Sequence, residues 1–402
     1  MAIPVSPPVT LDVAAERPRA SRVRGLDVMR GLVIVLMVID HVRYFLSSAR
    51  FDPTDPAQTT VALFFTRWIT HFCAPVFMLL AGAGAYLSLG RGRTRGDASW
   101  FLLTRGLWLL VLELTVARFG WQFNLDYGFS SALVFWALGW SMIALAALVW
   151  LPVRWVTAFG LLMIAGHNLF DGIGAADWGA WGWLWTILHQ PGELTLGSGA
   201  RVFVLYPLIP WIGVMAVGYA FGHLATLPPA RRDRIYLALG GAVTAGFVVL
   251  RLATWYGDPA PWTVQSSGWR TALSFLNTTK YPASLLFLLM TLGPAIALLP
   301  RLEGMRGRLG GILLTIGRVP LFFWLLHVPL IHLIALAFSL ARYGEVIPWL
   351  VRNPPTPLPE GYGYGLATVY AVTLLVVAAL YPLCRWYAGV KQRRRDPWLS
   401  YL

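Results

Sequence analysis

Residues Gly25–Leu46, GLDVMRGLVIVLMVIDHVRYFL, constrain the chain more than any other stretch. Asp27 and Arg30 open the run three residues apart, so they share a helix face and can pair. Leu32–Ile39 then carries no charge, and Asp40-His41 arrives before the apolar run has ended. From Gly25 to Asp40 is about 22 Å of helix at ~1.5 Å per residue, against a hydrocarbon core about 30 Å thick. A helix entering a bilayer near Gly25 therefore holds Asp40 and His41 inside the far leaflet. A carboxylate and an imidazole at that depth need partners and mark a functional position.

Composition sets the class. The 402 residues are 57% hydrophobic and only 12% charged, and mean hydropathy is +0.62. These values define a polytopic membrane protein rather than two or three soluble domains. The net charge of +14 does not indicate nucleic acid, because the arginines fall in short loops between apolar runs. That is the positive-inside pattern. Cys73 and Cys384 both lie within apolar runs, so no disulfide framework is expected.

The expected fold is all-α: a transmembrane helical bundle of about ten spans with both termini cytoplasmic. The spans are read at 25–46, 64–89, 99–119, 131–151, 154–172, 202–225, 234–254, 281–299, 311–340 and 364–388. Loops rich in arginine then alternate with loops rich in Pro, Gly, Trp and Asp. Residues 1–21 read as a disordered cytoplasmic tail, 22–390 as the membrane domain and 391–402 as a basic cytoplasmic tail. With no cleavable signal ahead of it, the first span is expected to be its own anchor. Gly179–Leu188 is apolar but too short to cross, and is expected to be interfacial or re-entrant. Lipid is the expected surrounding, the bacterial inner (plasma) membrane the expected location, and a homo-oligomer is left open.

In this topology the buried polar residues sort by depth. Toward the outer side lie Asp40, His41 and Arg43, then Arg67 and His71, then His167, Asn168 and Asp171, then Lys280, His327 and His332. A lone histidine in a span is ordinarily a helix-to-helix hydrogen bond, and that reading serves for His167, His332 or His223 taken singly. Beside Asp40, His41 favours function, since ionisable groups inside membranes are costly. Arg67 could equally snorkel to the interface. Toward the cytoplasmic side lie Asp27, Arg30, Arg105, Glu113 and Arg318. Charge compensation accounts for Glu113, whereas arginine forks at such a mouth suit phosphates. No metal is expected. HNLFD at 167–171 offers His167 and Asp171 as ligands, but nothing in the sequence fixes a third. There is no GxSxG elbow, P-loop or dinucleotide fingerprint.

The segments LDVMRGLVIVLMVIDH, RWITHFCAPVFMLLAG, TRGLWLLVLELT, GHNLFD, NTTKYPASLLFLLMTLGP and FFWLLHVPLIH together resemble the bacterial membrane proteins grouped with the catalytic domain of heparan-alpha-glucosaminide N-acetyltransferase. The resemblance runs from about 24 to 390. It implies an integral membrane acyltransferase that uses acetyl-CoA as small-molecule acyl donor and a sugar or envelope glycan as acceptor. The family's histidine ahead of the second span has no counterpart here, because Ser47–Val61 contains none. The flanking His41 and His71 are then the available bases.

On this reading His41, Asp40, His71 and His327 are the candidate catalytic residues. Arg30, Arg105 and Arg318 would hold the CoA phosphates, and Arg67, His167, Asp171 and Lys280 would meet the substrate. A transporter or flippase for a small polar or glycolipid substrate is the alternative. Transporters more often show paired repeats with broken helices, and no such repeat is evident.

Overall fold

A computed structural model describes residues 23–90, 92–352, 358–394 and 396–401. The expected tail at 1–21, Arg91, residues 353–357, and Arg395 and Leu402 of the expected basic tail lie outside them. Eleven longer helices carry the description: α1 Arg24–Leu46, α2 Val61–Leu89, α3 Arg95–Gln122, α4 Val134–Leu148, α5 Val153–Phe170, α6 Leu208–Leu224, α7 Pro229–Ala253, α8 Leu285–Gly304, α9 Gly307–Arg318, α10 Pro320–Tyr343 and α11 Leu366–Arg393. Seven of them (α2, α3, α5, α7, α8, α10 and α11) are long and apolar enough to cross a membrane. α4 and α6 are apolar but shorter. α1 has the length, 23 residues, and is interrupted by Asp27, Arg30, Asp40 and Arg43.

α1 is the centre of the bundle. Five consecutive residues, Gly25 to Met29, are buried, so no face of that turn meets the surroundings. It packs against α2, α8, α9, α10 and α11. The crossing with α9 is close enough to require glycine. A Cβ added to Gly317 would stand 1.8 Å from the Asp27 carbonyl oxygen, and one on Gly31 would stand 1.9 Å from that of Leu313. Around this centre α2 packs on α6, α7 on α8, α3 on α4 and α5 on α6.

Three expectations change. The run 311–340 is not one helix. Val319 leaves helical geometry (φ −131°, ψ 51°) and Pro320 starts α10, where its missing N–H costs nothing. Gly317-Arg318 therefore closes α9. Second, the all-α bundle is the expected one but carries a small sheet in addition. Strands β1 Phe129–Ala132, β2 Gly192–Thr195 and β3 Arg201–Val204 form a small sheet in the order β1-β3-β2. β1 runs parallel to β3 and β2 antiparallel to it, with Phe129 opposite Arg201 and Gly192 opposite Val204. The beginnings of the expected spans 131–151 and 202–225 are thus strand. Third, α2 is interrupted by a 3-10 turn at Ile69–Phe72. Pro75 lies four residues beyond His71 and cannot donate to its carbonyl, so a regular α-turn loses a bond there.

Between α5 and α6 the segment Gly182–Leu188 forms a helix of seven residues. It is about 10 Å long at ~1.5 Å per residue, too short to cross. Trp178 stacks on Trp185 at 4.9 Å, and Trp185 Nε1 donates to the Ile173 carbonyl at 2.8 Å, so the loop folds upon itself.

Candidate functional site

Two cavities lie toward opposite ends of α1. The first, about 440 Å³, is lined by Arg30, Arg93, Arg105, Arg318 and Lys391, with Phe77, Leu80, Leu102, Leu109 and Met142 among its apolar residues. No aspartate or glutamate is in this lining. Arg30, Arg105 and Arg318, which the sequence places apart on the first, third and ninth spans, are thus brought to one wall. Arg30 is braced by Asp27 at 2.7 Å and by the Gly317 carbonyl at 3.1 Å. The cations of such a pocket suit phosphates, and its apolar part suits an uncharged chain.

The second cavity, about 470 Å³, is lined by Asp40, His41, Arg67, Glu113, Trp121, Tyr206, Tyr281 and Trp324 among others. The sheet closes one side. Phe129 and Ser131 of β1 stand two apart and both face in, and Phe203 of β3 does the same. Val134 and Trp324 line both cavities. The Trp324 ring lies 4.0 Å from that of Phe135, so this pair forms the septum between them.

His41, which lines the second cavity, and His327 behind it have a defined protonation pattern. His327 Nδ1 lies 2.7 Å from the Trp324 carbonyl. A carbonyl only accepts, so Nδ1 carries the proton and Nε2 keeps its lone pair. His41 Nδ1 is 2.7 Å from that Nε2 and must donate to it. The His41 proton is therefore on Nδ1, and its Nε2 lone pair is left for the cavity that His41 lines. A neutral imidazole fixed in this tautomer is the form a general base needs. Trp121 meets His41 edge-on at 4.8 Å and helps hold the ring.

Asp40 does not orient His41. It accepts from Arg43 at 2.9 Å and from Arg67 at 2.7 Å. The partner of His41 comes instead from α10, 286 residues further along. His71 is buried in neither cavity wall, with its ring 5.4 Å from Phe287. Lys280 also stays off the wall, its ammonium 5.2 Å over the Tyr281 ring. His167 and Asp171 gather with His189 at the end of α5, away from both cavities.

Glu113 is the residue whose placement the sequence obscured. Arg105 and Glu113 stand two turns apart on α3, and the sequence reads Glu113 as charge compensation between spans. The structure puts Arg105 in the first cavity and Glu113 in the second. Glu113 opens a π-turn, Glu113–Ala117, the kind of irregularity that often accompanies function. Glu113 Oε2 accepts from the Trp136 amide at 2.9 Å, capping the first turn of α4 from a neighbouring helix. Trp121, Tyr206, Tyr281 and Trp324 also went unread, since an aromatic in an apolar run gives no signal.

These features define a polytopic membrane protein with a cationic pocket toward one end, a histidine-bearing pocket toward the other, and a thin wall between. The chain belongs to the family described as heparan-alpha-glucosaminide N-acetyltransferase, catalytic, whose profile matches residues 22–249. That segment carries Asp40, His41, Arg67, Arg105 and Glu113, while His327, Trp324 and Arg318 lie beyond it. No curated protein matches the chain.

Proposed function

We propose that the protein moves an acetyl group from cytoplasmic acetyl-CoA to a hydroxyl or amine of a sugar or envelope glycan on the outer side of a bacterial inner membrane. The reading rests on one observation above all: the cationic cavity and the histidine cavity share Val134 and Trp324. A donor held by its phosphates at Arg30, Arg105 and Arg318 could extend its acyl arm along the apolar wall to that septum. The basic loops support a cytoplasmic position for the cationic cavity, in a topology of ten spans with both termini inside.

In the step itself, His41 Nε2 takes a proton from the acceptor as its oxygen or nitrogen attacks the thioester carbonyl. The Nδ1–H donated to His327 stays in place and spreads the positive charge that develops. Collapse of the tetrahedral intermediate breaks the C–S bond, and the thiolate leaves with the proton held on His41, as CoA-SH. Arg67, on the same wall and fixed by Asp40, is placed to meet the oxyanion.

The test is transfer across a membrane. Purified protein in sealed vesicles is given acetyl-labelled CoA on one face and candidate amino sugars or glycan fragments on the other. Labelled acceptor in the far compartment is the expected result. A folded protein that binds no CoA overturns the reading.

A further inference from the structure

We propose that His167, Asp171 and His189 form a binding site for a divalent transition metal of the zinc class at the end of α5. The sequence supplies only two of these ligands close together, His167 and Asp171 of HNLFD. The fold supplies the third. After the Gly182–Leu188 helix the chain turns back and buries His189 against His167.

The spacing is that of a metal site. His167 Nδ1 and His189 Nε2 are 3.4 Å apart, and His189 Nε2 and Asp171 Oδ1 are 3.6 Å apart. The three ligand atoms all lie within 4.8 Å of one another. Ligands ~2.0–2.1 Å from a tetrahedral ion sit about 3.3–3.4 Å from each other, so two of the three edges already have nearly that length. The carboxylate is pre-oriented from outside the cluster. Asn168 Nδ2 donates to Asp171 Oδ2 at 2.7 Å, and Asn168 Oδ1 accepts from the Leu285 amide at 2.9 Å. One carboxylate oxygen is thereby occupied and Oδ1 is the one left beside His189, an arrangement typical of outer-shell support at metal centres.

The protons do not satisfy this cluster by themselves. His189 Nε2 faces the His167 carbonyl at 2.8 Å as well as His167 Nδ1 and the carboxylate. With a proton on His189 Nε2, the His167 lone pair is left as a poor second acceptor. With the proton on His167 Nδ1 instead, the His189 lone pair faces two oxygens. A cation coordinated by both imidazoles and the carboxylate removes the conflict. Asp171, half-buried while the two histidines are buried, marks the side from which a fourth ligand, water, could enter. The site lies outside both cavities and is independent of acyl transfer. Its place is structural, since it ties the end of α5 to the chain that becomes β2, next to the cavity-lining strand β3.

The experiment uses the full chain in detergent, stripped with a chelator and titrated with cobalt(II). One cobalt per chain with the intense visible absorption of a four-coordinate ion is expected. Zinc should raise the thermal midpoint of the stripped protein. Asp171→Asn and His189→Gln should weaken cobalt binding at least about tenfold, the scale seen when even outer-shell support of a metal is lost. Neither variant should show the zinc-dependent stabilisation. His223→Gln, at a histidine that pairs with Tyr86, should bind cobalt like the parent. The midpoint of each metal-free variant shows whether it is folded. Should the folded parent bind no cobalt, or should both ligand variants bind as tightly as the parent, the proposal is wrong.

Discussion

In the proposed mechanism His41 is the base, and what stands behind it fixes its tautomer. The Trp324 carbonyl fixes the proton of His327, and His327 fixes that of His41. Glutamine at position 41 can keep a hydrogen bond to His327 but cannot take a proton at neutral pH. His41→Gln should therefore lower transfer by about 10²–10⁴-fold while CoA affinity and the thermal midpoint stay near those of the parent. Single-turnover transfer beside calorimetric CoA binding checks this. A Gln variant at parental rate would place the base elsewhere. In the other cavity, Arg105→Gln removes one charge from a wall of five cations. Hydrogen bonds to charged groups contribute about 1.5–3 kcal/mol, so CoA affinity should fall roughly 10- to 100-fold. Its salt dependence should become shallower, as measured by titration at several ionic strengths.

Among the elements, α1 and α9 decide how the cationic wall is built. They touch backbone to backbone at Gly31 and Gly317, which brings Arg30 and Arg318 to one mouth. A methyl group at Gly317 meets the Asp27 carbonyl at 1.8 Å, and backbone on both sides leaves it no way to yield. Gly317→Ala should destabilise by about 1–3 kcal/mol, the usual cost of overpacking. It should lower the thermal midpoint and weaken CoA binding together, whereas a purely local effect would leave the midpoint unchanged. The break at Val319-Pro320 has a related consequence. On its two sides α9 and α10 each pack on α1, and α10 brings Trp324 to both cavities and His327 to His41.

For the whole molecule, the septum is the critical feature. Trp324→Ala would open one cavity into the other through the space its indole fills. Water reaching the donor should then raise acetyl-CoA hydrolysis relative to transfer, measured as thiol release with and without acceptor. An unchanged ratio would show that Trp324 does not seal the passage. Topology is checked separately. A reporter that works only in the periplasm, fused after Arg395, should stay silent, and strong signal there would mean an odd number of crossings.

Periodicity, charge and length in the sequence determined the membrane class, the helical bundle and most helix positions. Each of those depends on properties local to one segment, namely apolar length and the arginines at its ends. The sequence also marked Asp40-His41, because a charge pair inside an apolar run is conspicuous without any neighbour. It could not assign partners. His41 pairs with a histidine on α10, Asp40 with an arginine on α2, and His167 with a histidine beyond a helix too short to cross. Glu113 looked like charge compensation between spans because spacing along one helix says nothing about a wall between cavities. The small sheet escaped because its strands are four residues long and merge into apolar runs. Only the tertiary structure decided these matters. Pairing, enclosure and the septum at Trp324 are relations between segments, and relations between segments exist only once packing has brought them together.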